Sequence, residues 1–77
     1  MDPVGKYFKT EYEYYYCYGE NAMFRTGGYD CLCVDENSIT THYFNSLSGM
    51  PKSTRRAFMS AYDRTTERLD EILTKER

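Results

Sequence analysis

Cys17, Cys31, Cys33 and His42 are the residues whose types best suit metal or nucleophile chemistry. Three thiols and an imidazole form a legitimate zinc donor set, and residues two apart on a strand project from one face, so Cys31 and Cys33 would point together with His42 on an adjacent strand. The spacing nevertheless differs from the Cys-x₂-Cys knuckles of zinc ribbons and fingers. No orienting motif flanks a Cys–His couple, and the chain has no Gly-rich phosphate loop, no paired histidine ligands and no nucleophile elbow. The thiols therefore read as compact apolar filler in a reduced protein, with no cofactor and no catalytic role expected.

A second constellation is aromatic. Tyr12-Glu13-Tyr14-Tyr15-Tyr16-Cys17-Tyr18 holds five tyrosines, and in an extended chain Tyr12, Tyr14, Tyr16 and Tyr18 line one face while Glu11, Glu13, Tyr15 and Cys17 line the other. An exposed row would resemble a stacking platform for single-stranded nucleic acid, but such platforms interleave rings with Lys and Arg, and here the strand offers Glu11 and Glu13. Burying two unpaired carboxylates costs several kcal/mol each, whereas phenol tips reach water at the rim of a thin core. The tyrosine row is thus expected inside, leaving Glu11, Glu13 and Tyr15 as an outward patch.

Charge is unevenly spread. Residues 1–44 carry Lys6, Lys9 and Arg25 against seven acids, and residues 45–77 carry seven bases against five acids, for an overall net charge of −2. Glu20, Asp30, Asp35 and Glu36 extend the acidic half. Lys52, Arg55 and Arg56 stand where a helix is expected to begin, next to the positive end of its dipole, so Arg55 and Arg56 are candidate contacts for a partner's carboxylates or phosphates.

Positioning these groups falls to a few elements. With 77 residues the chain suits one domain with a thin core, burying roughly 60% of its unfolded surface, and a deep catalytic cleft is not expected. Residues 6–18 read as one long strand, followed by strands at 23–26, 29–34 and 39–44 separated by Gly- and Asn-bearing turns. The connections are too short for crossovers, so the sheet is antiparallel. From Pro51 the period becomes helical through residue 75, with Phe58, Tyr62, Thr65, Leu69 and Ile72 on one stripe of about 100°. The expected fold is α+β, an antiparallel meander of three or four strands covered by one long C-terminal helix. The odd number of cysteines, and no charged-then-apolar leader or long apolar run, point to the cytoplasm and away from membranes.

A very small chain with an acidic, aromatic sheet, a helical lid and no catalytic residues resembles the anti-CRISPR and related host-defence inhibitor proteins encoded by phages, in format rather than by motif. That resemblance implies a non-catalytic binder, acting in the host cytoplasm, that occupies the nucleic-acid or partner surface of a bacterial protein complex. Glu11, Glu13, Glu20, Asp30, Asp35 and Glu36 would meet the bases that normally hold nucleic acid. Two other readings stand beside it. One is a nucleic-acid-binding module using Arg55, Arg56, Arg64 and Arg68. The other is a structural or interaction protein that pairs as a homodimer through an edge strand or the tyrosine face, the expected state of the chain being monomer or homodimer.

Overall fold

The computed structural model describes residues 2–21 and 27–75. Four strands, β1 (Tyr7–Lys9), β2 (Tyr14–Glu20), β3 (Tyr29–Val34) and β4 (Ile39–Phe44), precede one helix, α1 (Arg55–Lys75). The strands pair antiparallel in the order β1-β2-β3-β4, so the fold is the α+β meander with a C-terminal helix expected from the sequence. The segment 23–26, expected as a strand, lies outside the described residues.

The long strand expected over 6–18 is instead a hairpin. The amide of Thr10 donates to the carbonyl of Glu13 at 2.9 Å, so the chain reverses through Glu11 and Tyr12, and Tyr7 pairs with Tyr16. A second two-residue reversal, Glu36–Asn37, joins β3 to β4. Here the Asp35 carboxylate accepts from the amides of Asn37 and Ser38 and from the Ser38 hydroxyl, each at 2.8 Å, which closes the turn without a positive φ.

Alternation then gives the sheet two inner faces. Tyr7, Tyr14, Tyr16, Leu32, Val34 and Ile39 point toward α1 and pack with Phe58 and Ala61. The Phe58 ring lies 5.5 Å from that of Tyr7 and 6.3 Å from that of Tyr16, and Tyr7 and Tyr16 are 4.8 Å apart. Phe8, Tyr15, Cys17, Cys31 and Cys33 point the other way and pack with Leu47, flanked by Val4, Tyr29, Phe44 and Met50. The face opposite the helix is therefore a second core, and the outward patch expected there does not form around Tyr15, which is 6% exposed.

The chain builds that second layer on its way to the helix. After β4 it passes beneath the sheet and turns at Leu47–Met50, where the Met50 amide donates to the Leu47 carbonyl at 3.2 Å and Gly49 takes φ 83°. A positive φ at the third position is the requirement of a type II turn, which glycine meets without strain. Pro51–Ser53 then runs beside β1, with the Lys9 amide donating to the Pro51 carbonyl (3.0 Å) and the Ser53 amide to the Tyr7 carbonyl (2.9 Å). Pro51 thus lies outside the helix rather than in its first turn. The cap is Thr54, whose hydroxyl accepts from the Ala57 amide at 3.1 Å while its carbonyl accepts from Phe58.

At 21 residues α1 is about 31 Å long, against about 20 Å for strands of six or seven residues. Phe58, Ala61 and Thr65 are buried, whereas Ile72 and Leu73 are 42% and 61% exposed beyond the sheet. This overhang accords with a radius of gyration of 13.9 Å, larger than the roughly 11.5 Å of a compact chain of this length.

Removing the Phe58 ring leaves a cavity between α1 and the Tyr7–Tyr16 pair, so Phe58→Ala is expected to cost about 3–5 kcal/mol in urea unfolding. Leu73→Ala on the overhang is expected to change stability by no more than about 0.5 kcal/mol. Equal effects from the two would contradict this packing.

Candidate functional site: an acidic end of the sheet

The two short turns lie at the same end of the sheet, because β1–β2 and β3–β4 reverse at the same edge of the meander. They gather Glu11, Glu13, Asp35 and Glu36 around Tyr12, Asn37 and Ser38 in a shallow cleft of about 820 Å³. Tyr12 is 78% exposed, the most exposed large ring among the described residues. It left the expected inner row because it sits in the turn rather than on a strand. Of that row, Tyr14 and Tyr16 face α1 as expected, and Tyr18, at the β-bulge between Cys17 and Gly19, is 48% exposed.

The carboxylates are not equivalent. Asp35 is occupied by its turn, and donation from Asn37 and Ser38 holds its carboxyl below the usual carboxylate range. Glu13 accepts a hydrogen bond from the Tyr15 hydroxyl at 2.9 Å, which ties the acidic rim to the core beneath. Glu11 and Glu36 are exposed. Burial, then the hydrogen bond to Glu13 and its charge, push the Tyr15 phenol up to about 12.

On the helix side of the same end, a groove of about 470 Å³ runs between Tyr12, Tyr14, Asp35, Glu36, Arg64, Thr65 and Arg68. Thr65 is 2% exposed and its hydroxyl donates to the Asp35 carbonyl, pinning α1 to the β3–β4 turn. Arg64 donates to Ser60 at 2.8 Å and Arg68 to Asn37 at 3.4 Å. The end is therefore acidic at its tip and flanked by two bases.

The remaining sequence-derived candidates are placed elsewhere. Glu20 and Asp30 sit at the opposite end of the sheet, Glu20 across from Tyr29 and Asp30 across from Gly19, with the Asn21 side-chain amide donating to Asp30 at 3.2 Å. Arg55 and Arg56 are exposed in the first turn of α1. Cys17, Cys31, Cys33 and His42 do share one face of the sheet, yet among the described residues no three of these donor types converge on a point that could hold a metal. His42 instead packs its ring against that of Phe44, 4.6 Å away in a tilted arrangement. The cysteines are free and buried, and burial raises all three thiols, those of Cys31 and Cys33 to about 12. Among the described residues no helix is long and apolar enough to cross a membrane.

Compared with known proteins, the chain matches no family model, no curated protein and no solved structure.

Tyr12, Arg64 and Arg68 were not placed at this end by sequence reasoning. The available signal was weak: Thr10-Glu11 interrupts the apolar alternation, but no Gly, Pro or Asn marks the turn.

Tyr15, Cys31 and Cys33 fold in their neutral forms, with folded values of about 12 against ordinary values of 10.0 for the phenol and 9.0 for the thiols. A raised folded value means the stabilisation is whole below the unfolded value and lost as pH climbs to the folded one. Urea midpoints are therefore expected to fall progressively between pH 9 and pH 12, and Tyr15→Phe to make the fall above pH 10 shallower while the part due to Cys31 and Cys33 persists. A midpoint that stays level to pH 12 would contradict the buried-face assignment.

Proposed function

We propose that this chain is a non-catalytic protein-binding inhibitor whose acidic end docks on a basic, nucleic-acid-binding surface of a bacterial protein complex. The carrying observation is that turns 25 positions apart in the chain, Glu11–Tyr12 and Glu36–Asn37, converge so that four carboxylates line one cleft with an exposed ring. Exposed aromatic anchors ringed by charge suit macromolecular contact, where the ring supplies buried area and the charges supply orientation and association rate. A small-molecule site would instead be concave and mostly apolar. Glu11, Glu36 and Tyr12 would make the contacts, Asp35 and Glu13 would hold the frame, and Arg64 and Arg68 would meet acids at the partner's rim.

The resemblance in format to anti-CRISPR proteins supports choosing a phage-encoded inhibitor of a CRISPR–Cas or related nucleic-acid-processing complex, acting in the host cytoplasm. Direct nucleic-acid binding fits the site less well, because phosphates would be repelled by the same carboxylates that surround Tyr12.

Expressed in bacteria carrying an active CRISPR system, the wild-type chain is expected to restore plating of a targeted phage, and the triple variant E11K/Y12A/E36K to lose that effect while keeping its circular dichroism. Purified chain should retain the complex in pull-downs, with affinity falling at least about tenfold in the triple variant, as expected for losing an anchor and its flanking charges. Failure to inhibit any defence system, combined with recovery of no nucleic-acid-processing complex, would overturn this reading.

A further inference from the structure

Cys17 and Cys31 face each other across two strands of the sheet. They are directly opposed in the β2–β3 register, both belong to the core on the face away from α1, and each is 0% exposed. The phase of the ladder at this point follows from the β1 side. The Cys17 amide donates to the Lys6 carbonyl at 3.1 Å and the Cys17 carbonyl accepts from the Gly5 amide at 2.8 Å, so both backbone groups of Cys17 turn away from β3. Cys17 and Cys31 are therefore a non-hydrogen-bonded pair. In such pairs the Cα atoms approach to about 4.5 Å and the side chains lie closest. The two thiols are within hydrogen-bonding reach of each other.

A disulfide needs Cα atoms about 4.4–6.8 Å apart and Cβ atoms at about 3.8 Å. Among the three cysteines, one pairing meets both requirements. Cys31 and Cys33 stand two apart on a single strand, which holds their parallel Cβ atoms roughly 6.6 Å apart. Cys17 and Cys33 are diagonal neighbours, at about 7–8 Å. Cys33 opposes Tyr15 instead, and its thiol donates to the Cys31 carbonyl at 3.9 Å. We propose that Cys17 and Cys31 form a cross-strand disulfide site, oxidised by a low-molecular-weight disulfide of the glutathione type, with Cys33 remaining a thiol.

The exchange runs in two steps. One cysteine thiolate attacks glutathione disulfide, breaking its S–S bond and releasing one glutathione thiolate. The other cysteine thiolate then attacks the protein sulfur of the mixed disulfide and releases the second. Two protein thiols are oxidised, one glutathione disulfide is reduced, and the two protons pass to the departing glutathiones. Both sulfurs are sealed beneath the layer that carries Leu47, so the reagent reaches them while that layer is open, during folding or local opening. Closure then preserves whichever state was formed. The bond replaces only the weak contact of the Cys17 thiol with the Gly19 carbonyl at 3.9 Å. In a reducing compartment the pair stays as the two free thiols of this structure, and the inference does not rest on what the acidic end binds.

Refolding the full chain from urea with glutathione disulfide tests this. The product is expected to be lighter by two hydrogens, and trypsin without reductant, cutting after Lys9, Arg25 and Lys52, to leave 10–25 linked to 26–52. Cys33→Ala and Cys33→Ser are both expected to keep the link, and Cys31→Ala to lose it. The oxidised chain is expected to have an unfolding constant at least about tenfold smaller than the reduced chain. Its urea midpoint is expected to fall less steeply between pH 9 and pH 12, because Cys31 no longer titrates. Added to the folded reduced chain, the same reagent is expected to act more slowly, and faster again in sub-denaturing urea. A bond confined to 26–52, loss of the link in both Cys33 variants, no bond after refolding, or an oxidised chain less stable than the reduced one would overturn the proposal.

Discussion

Everything in this fold depends on covering both faces of a four-stranded sheet with a chain of 77 residues. The central strands β2 and β3 carry apolar or aromatic side chains on both sides, Tyr14, Tyr16, Leu32 and Val34 above, Tyr15, Cys17, Cys31 and Cys33 below. One helix can cover only one face. The lower face is closed by the 45–50 segment, and because that segment must travel from β4 to the other side of the sheet, it delivers Pro51–Ser53 to the edge of β1 before α1 starts back across the top. Burial of the lower face, protection of one edge and the starting point of the helix are thus a single geometric solution.

This arrangement explains why compact residues fill the lower face. A segment with one buried leucine, Leu47, lies flatter than a helix, so Cys17, Cys31 and Cys33 fit where larger side chains would hold it away. Tyr15 is the exception, and its hydroxyl escapes by bonding Glu13 at the rim, just as the Thr65 hydroxyl finds the Asp35 carbonyl. Both bonds lead to the turns at the acidic end. The core and the candidate site are therefore mechanically linked, and the end that carries the exposed Tyr12 is held by side chains anchored in both layers.

The helix, the meander and the turn at Asp35–Ser38 were legible in the sequence because each is written in local chemistry: a 3.6-residue stripe through Phe58, Tyr62, Thr65 and Leu69, strands of β-branched and aromatic residues, and an aspartate able to bond its own turn. The hairpin at Glu11–Tyr12 was not. Five tyrosines in seven residues sustain a strand-like pattern straight through the reversal, and the residues at the turn carry none of the usual marks. The start of the helix was displaced because Pro51 suits a first helical turn and an edge segment equally well, and only pairing with β1 decides between them. Tyr15 was misplaced for a related reason: alternation correctly separated it from Tyr14 and Tyr16, but no pattern in the sequence announces that an irregular segment will cover the other face. The acids Glu11, Glu13, Glu20, Asp30, Asp35 and Glu36 were identified as one set, whereas the division that puts Glu20 and Asp30 at the other end needed the register of the sheet.

The passage of the chain beneath the sheet is the claim on which the second core, the closed edge and the placement of the acidic end all rest. Native-state hydrogen exchange at the amides of Lys9 and Ser53 reads it most directly, since these donate to Pro51 and Tyr7 only if the segment docks on β1. Protection comparable to that of the Cys17 amide in the sheet interior is the result this account predicts. Exchange at Lys9 and Ser53 at the rate of an unstructured peptide, with Cys17 still protected, would contradict it.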